Sequence, residues 1–69
     1  MKLIQILQMI DPDRLIDFWD PEGKDKEVQN IIVAKPGDIL YKIDPKWFDF
    51  PATVEQDLRS RRIIVKVIL

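Results

Sequence analysis

The nine C-terminal residues constrain the fold more than any other segment of the chain. In an extended strand, residues 61–69 carry branched apolar side chains on both faces: Ile63, Val65, Val67 and Leu69 on one, Ile64 and Ile68 around Lys66 on the other. A strand that is apolar on both faces is normally central in its sheet or covered by a second layer. The rest of the chain must therefore supply neighbouring strands and helices that cover at least one face.

Two hairpins supply those strands. In the first, residues 15–19 and 28–34 form the strands, and residues 20–25 form a turn in which Pro21 and Gly23 favour chain reversal. In the second, residues 48–55 alternate between apolar and polar, residues 56–60 form the turn, and residues 61–69 return. The alternation places Phe48, Phe50, Ala52 and Val54 on one buried face. Because Pro51 cannot donate a backbone hydrogen bond, this strand is predicted to lie at an edge or to carry a bulge.

A short helix is predicted before each hairpin. Residues 2–10 place polar side chains at every third position, which leaves most of the helix circumference apolar, and the helix ends before Asp11 and Pro12. Asp38 is the expected N-cap of a second helix that closes before Asp44. We therefore predict one α+β domain over residues 1–69, with element order α-β-β-α-β-β, a four-stranded antiparallel sheet and one or two short helices.

Composition excludes several kinds of chemistry. The 69 residues include no histidine and no cysteine, and the hydroxyl side chains other than Tyr41 are Ser60 and Thr53. A Ser-His-Asp or Cys-His nucleophile, a zinc site built on His or Cys, and a disulfide framework are therefore impossible. We predict a protein that is not an enzyme and has no cofactor.

Charge and hydropathy predict a cytoplasmic protein. Eleven basic side chains against twelve acidic ones give a net charge of −1, so no strong overall field draws the chain to nucleic acid or to a membrane. The apolar run at residues 3–10 is interrupted by Gln5 and Gln8, is too short to span a bilayer, and lacks a small-residue cleavage site. A secretory signal is not expected.

The first hairpin is acidic and is a candidate contact surface for a basic protein partner. Its predicted partner-binding carboxylates are Asp17, Asp20, Glu22 and Asp25. A calcium loop is not indicated, because Gly23 stands three residues after Asp20 where an EF-hand needs five. A solvated charged hairpin would show the same pattern. Trp19 and Trp47 are further partner-binding candidates, although half-buried tryptophans commonly cap the core of small domains.

The apolar last strand predicts self-association. Ile64, Lys66 and Ile68 lie on the face that two short helices are unlikely to cover, so we expect a homodimer through these residues. The alternative is that the strand is simply central, with the Lys66 ammonium reaching solvent.

A basic cluster points to a different class of function. Arg59, Arg61 and Arg62 surround the predicted second turn, and together with Lys66 they form a candidate phosphate-binding group. Arginines at a hairpin tip are also commonly just solvated. Weak nucleic-acid binding is therefore the alternative to protein–protein interaction.

The opening helix, the first hairpin and the last strand resemble short prophage-encoded proteins of Gram-positive bacteria. The matching residues are Lys2, Leu3, Leu7, Ile10, Asp11, Ile16, Asp20, Gly23 and residues 63–69. The segment 44–62 departs from that pattern. The resemblance implies a phage setting, in which very small proteins act by binding and inhibiting another protein, such as a host defence nuclease. The leading prediction is thus a non-catalytic protein–protein interaction module, with a phage-derived inhibitor as its specific form.

Overall fold

Two helices, four strands and one 3₁₀ turn make up the domain. The computed structural model describes residues 1–25 and 28–69, and the side chains of residues 23–30 lie outside the description. The elements are α1 (Leu3–Met9), β1 (Ile16–Asp25), β2 (Val28–Ala34), α2 (Pro36–Lys42), a 3₁₀ turn (Pro45–Trp47), β3 (Ala52–Asp57) and β4 (Arg62–Val67). The α+β class, both helices and all four strands were predicted, whereas the 3₁₀ turn was not.

The sheet is mixed, which corrects the prediction of a purely antiparallel one. The strands lie in the order β2-β1-β4-β3. Each hairpin is antiparallel internally, but β1 and β4 run parallel where the two hairpins meet. Hairpin signals in a sequence specify only strands joined by a short turn, whereas pairing between hairpins depends on how their apolar faces pack together. The central place of β4 agrees with its apolar character on both faces.

Both helices cover the same face of the sheet. Phe18 of β1 lies opposite Val65 of β4, and both side chains are fully buried. The buried cluster draws on both helices, on the residue that caps α2 and on all four strands, and its members are Leu3, Ile6, Leu7, Ile16, Phe18, Ala34, Ile39, Ile43, Ala52 and Val65. Among the described residues every buried side chain is apolar. The domain therefore has two layers and one core.

The first helix is anchored to the second hairpin by backbone hydrogen bonds. The N–H of Leu3 donates to the carbonyl of Phe50 at 2.8 Å, and the N–H of Ala52 donates to the carbonyl of Met1 at 2.9 Å. At the start of the helix, the side-chain oxygen of Gln5 accepts from the N–H of Lys2. As predicted, the polar side chains of Lys2, Gln5 and Gln8 are exposed and the helix stops before Asp11.

The second helix begins earlier than predicted. Pro36 is its first residue and Lys35 its N-cap, whereas Asp38 had been expected to cap it. Proline fits the first helical position because its missing N–H has no intrahelical partner there and its φ is already helical. Lys35 takes an extended conformation because it precedes proline. Asp38 lies in the first turn, where its charge is favoured by the helix dipole.

The third strand is shorter than predicted because the chain first makes a 3₁₀ turn. The carboxylate of Asp44 accepts from the N–H of Lys46 and caps that turn, which keeps Phe48 out of the strand. Of the four side chains expected on one buried face, Ala52 is buried, while Phe50 and Val54 are exposed and Phe48 packs partly against the core. The strand lies at an edge of the sheet, as Pro51 predicts.

The first strand is longer than predicted. Residues 20–25 had been expected to form a turn, but β1 extends to Asp25, which pairs with Val28. The register shifts between Asp20 and Asp25. Within that segment the Asp20 carboxylate accepts from the N–H of Glu22, an Asx-type bond that departs from regular strand geometry.

Replacement of Phe18 should test the core. Phe18→Ala removes a large, fully buried side chain at the junction of the hairpins, and we expect the free energy of unfolding to fall by about 3–5 kcal/mol. Tyr41→Ala, at a side chain 93% exposed, should change it by less than about 0.5 kcal/mol. Urea unfolding followed by circular dichroism measures both, with Phe18→Leu as the milder variant if Phe18→Ala is already unfolded. Equal losses for Phe18→Ala and Tyr41→Ala would contradict the assigned core.

Candidate functional site

The sheet has a second face that carries no helix. This second face is called the open face. Strand alternation places two cross-strand rows of side chains on it: Ile31, Trp19, Lys66 and Thr53 in one row, and Val33, Asp17, Ile64 and Glu55 in the next. Arg62 lies on the same face at the start of β4, and Ile68 follows the strand with its N–H donating to the carbonyl of Pro51 at 2.8 Å. Asp57 of β3 lies opposite Arg62 on this face. The open face thus combines residues of all four strands with Ile68, which follows β4.

The apolar side chains of the open face remain accessible to solvent. Val33 is 50% exposed, Ile68 48% and Ile31 47%, whereas Val65 on the core side is fully buried. Trp19 and Ile64, on the two central strands, are half-buried. Val65 is thus the fully buried side chain of the last strand, and Ile64, Lys66 and Ile68 lie on the opposite, partly accessible side.

Lys66 covers the indole ring of Trp19. Its ammonium lies 4.3 Å from the ring centroid, a cation–π geometry, and 3.5 Å from a carboxylate oxygen of Glu55. The alternative to self-association had the ammonium reaching solvent from a central strand. The strand is central, and the Lys66 side chain is about one-third exposed and lies between a strand on each side. The contact keeps Trp19 in place on the open face.

A second ion pair crosses from β1 to β4. The Arg62 guanidinium lies 3.1 Å from the Asp17 carboxylate, whose side chain is only 13% exposed. Five charged side chains lie on the open face, and four of them form two opposite-charge pairs, Asp17 with Arg62 and Glu55 with Lys66. The fifth is Asp57, which lies opposite Arg62 at the end of β3. The middle of the face therefore carries no unpaired ion, and its one additional charge, that of Asp57, lies at the turn end of β3.

The carboxylates predicted to bind a basic partner do not share one surface. Asp17 belongs to the open face, while alternation along β1 directs Asp20 to the opposite side. Glu22 pairs with Lys46 of the 3₁₀ turn, and this hydrogen bond raises the pKa of Lys46. The side chain of Asp25 lies outside the described residues.

In the basic cluster the Arg62 side chain is paired with a carboxylate, whereas Arg59 and Arg61 take part in the turn through their backbone groups. Arg62 pairs with Asp17, and the guanidinium of Arg14 donates to the carbonyl of Arg61, which takes the left-handed conformation with φ 57°. Asp57 lies at the base of the same turn and accepts from the N–H of Arg59 at 2.9 Å. This bond, with a second hydrogen bond from Ser60, lowers the pKa of Asp57.

The two tryptophans lie on opposite sides of the sheet. Trp47 packs against the core, with its ring 4.8 Å from that of Phe50 in an edge-to-face arrangement. Its indole nitrogen is buried and has no hydrogen-bond partner among the described groups. Trp19 alone of the pair belongs to the open face.

Sequence reasoning missed Ile31 and Val33 as members of the candidate surface. A signal was present, because the run Ile31-Ile32-Val33 is apolar on both faces of a strand, as β4 is. It was interpreted only as the returning strand of a hairpin.

Comparison with known proteins returned no match to a family model, a curated protein or a solved structure. Among the described side chains, those of residues 1–22 and 31–69, no three acidic groups come together as a metal site. In the same part of the chain, neither helix has the length and apolar character needed to cross a bilayer.

The Asp57 carboxyl should titrate below the ordinary aspartate range. Because its pKa is lowered in the folded state, its contribution to stability is present above the pKa of the unfolded chain and is lost as the pH falls through the folded pKa. Carbon-13 NMR of the carboxyl group measures this pKa directly. Ser60→Ala should raise it partway, because the bond from the Arg59 N–H remains. An unchanged pKa in that variant would contradict the assigned turn geometry.

Proposed function

We propose that the chain is a non-catalytic protein–protein interaction module that acts through the open face. The supporting observation is a sheet buried on one side and accessible on the other, with Ile31, Val33 and Ile68 each about half exposed. Contiguous apolar surface of this kind, rimmed by polar side chains, is typical of binding sites on small soluble proteins. The absence of histidine and cysteine from the sequence supports binding over catalysis.

The charges of the open face define the kind of partner. Asp17 and Glu55 already have Arg62 and Lys66 as counterions, so the middle of the face offers no free charge to a strongly basic or a strongly acidic partner. Asp57, at the end of the face, accepts a hydrogen bond from its own turn. The best complement is an apolar patch with a polar rim, which is the usual anatomy of a protein interface. Trp19 and Ile64, in the centre of the face, are the expected anchors.

The size of the face limits the affinity. Strands lie about 4.8 Å apart and rise about 3.4 Å per residue, so four strands present a patch of roughly 20 Å by 20 Å. Stable complexes bury about 800 Å² on each partner. The proposed complex is therefore transient, or its partner also reaches beyond the sheet.

A second copy of the chain is one such partner. Face-to-face dimerisation through Ile64, Lys66 and Ile68 stays a prediction, as does the phage-derived inhibitor role, which rests on the sequence resemblance. The acidic hairpin gains no support from the geometry, since Asp17 and Glu22 are paired with Arg62 and Lys46. Nucleic-acid binding through Arg59, Arg61, Arg62 and Lys66 stays the alternative. Arg59 and Arg61 are exposed, whereas Arg62 and Lys66 would have to exchange Asp17 and Glu55 for phosphates.

Ile64→Lys tests the proposed surface. A lysine in the centre of the open face leaves the core side of β4 untouched but puts an unpaired charge into an apolar interface, so we expect at least tenfold weaker partner binding. Tyr41→Lys, on the helix side, is the matched control and should bind like the wild type. The measurement is quantitative pull-down from lysate of the source cells, followed by titration of any protein whose capture depends on Ile64.

Three results would contradict the proposal. If Ile64→Lys still binds the partner and a variant carrying both Asp20→Lys and Glu22→Lys does not, the contact lies on the acidic hairpin. Binding of DNA or RNA would instead favour the basic cluster as the contact surface, provided that the affinity falls with salt concentration as steeply as several phosphate contacts require. Equal loss in Ile64→Lys and Tyr41→Lys would show that the open face has no special role.

A further inference from the structure

The two edges of the sheet differ in how well they are protected. At the β3 edge, Pro51 precedes the strand, Met1 accepts a backbone hydrogen bond from Ala52, and the strand carries Glu55 and Asp57. Proline, charge and coverage by another segment are the usual means by which proteins prevent edge strands from pairing. The β3 edge therefore has all three.

The β2 edge has none of these protections in its sequence. Its seven residues, Val28–Ala34, include no proline and no charged side chain. Such uncharged, branched segments are the ones that pair readily with another strand when they lie at an edge.

The outward backbone groups of β2 are also available. The strand is hydrogen-bonded to β1 alone, and residues 31–34 make no backbone hydrogen bond to any other described element. In an antiparallel ladder, successive residues direct their N–H and C=O groups alternately toward the neighbouring strand and away from it. Half of these groups in β2 thus point away from the sheet.

We propose that β2 pairs antiparallel with β2 of a second copy, which joins two sheets into one of eight strands. A two-fold axis at Ile32 would set Ile31 opposite Val33 of the second copy on the open face. This register keeps the helix layers of both copies on the same side, because opposing residues share a face. The new cross-strand pairs are β-branched, which is a favourable combination.

Charge explains why a second copy is a suitable occupant and why β2 is the edge that it uses. Two copies of β2 meet without any like-charge contact, because the strand carries no charge. The same operation at β3 would bring Glu55 and Asp57 close to their own equivalents, which opposes pairing. Pairing through β2 leaves the open faces of both copies accessible and side by side, so the inference does not depend on the proposed function.

Engineered cysteines test the edge pairing, because the chain has no cysteine of its own. Ile31→Cys and Val33→Cys change half-exposed side chains, and Ile64→Cys is the control on the open face. Under mild oxidation, a mixture of the first two variants should form disulfide-linked dimers several times faster than Ile64→Cys does alone. Faster cross-linking of Ile64→Cys would overturn the proposal in favour of face-to-face stacking.

A matched pair of lysine variants gives an independent measurement. Val33 and Thr53 are both exposed and lie on the open face at opposite edges of the sheet. In sedimentation equilibrium, Val33→Lys should weaken dimerisation at least tenfold and Thr53→Lys should leave it unchanged. Equal effects of the two variants, or a wild-type chain that stays monomeric up to its solubility limit, would overturn the proposal. The partner-binding measurement on Ile64→Lys is independent of these dimerisation measurements. Either proposal can therefore be contradicted while the other stands.

Discussion

The parallel pairing of β1 with β4 is the interaction on which the rest of the domain depends. Each hairpin could form from residues close in sequence, but only this pairing joins them into one sheet. At its centre the buried side chains of Phe18 and Val65 lie opposite each other, and the same row continues to the half-buried Ile32 and the exposed Val54 at the two edges. The pairing gives the helices a continuous surface to cover. It also produces the continuous face on the other side of the sheet.

The open face follows directly from that arrangement. Two helices of seven residues each cover one face of the sheet, so the reverse face depends on its own side chains for stability. Cross-strand contacts stabilise part of this face, since Lys66 packs over Trp19 and Arg62 pairs with Asp17. Ile31 and Val33 have no such cover among the described residues and remain half exposed. The partly exposed apolar face is therefore a consequence of a helix layer that covers one side of the sheet.

Local features of the fold could be predicted from the sequence, whereas features set by tertiary packing could not. The three-residue spacing of Lys2, Gln5 and Gln8 predicted α1, and Pro51 predicted an edge strand. The parallel direction of β4 relative to β1 depends on contacts more than forty residues apart, for which no local signal exists. Two errors concern the starts of helices: Asp38 was expected to cap α2, which begins at Pro36, and Asp44 was not recognised as the cap of a 3₁₀ turn.

The candidate surface was also only partly predictable. The position of Ile64, Lys66 and Ile68 away from the core face follows from strand alternation and agrees with the structure. Their neighbours across the sheet could not be known, because these depend on the pairing of β1 with both β2 and β4. Alternation alone already separates Asp17 from Asp20, a signal in the sequence that the acidic-surface hypothesis did not use.

The central claim is that one face of the sheet is buried and the other is accessible to solvent, and Val33 and Val65 test it with the same side chain in both environments. The measurement is methyl NMR relaxation with a soluble paramagnetic agent, at a concentration where sedimentation shows a monomer. The account predicts strong relaxation enhancement for the Val33 methyl groups and almost none for those of Val65, since their exposed fractions are 50% and 0%. Equal protection of the two valines in the monomer would contradict it.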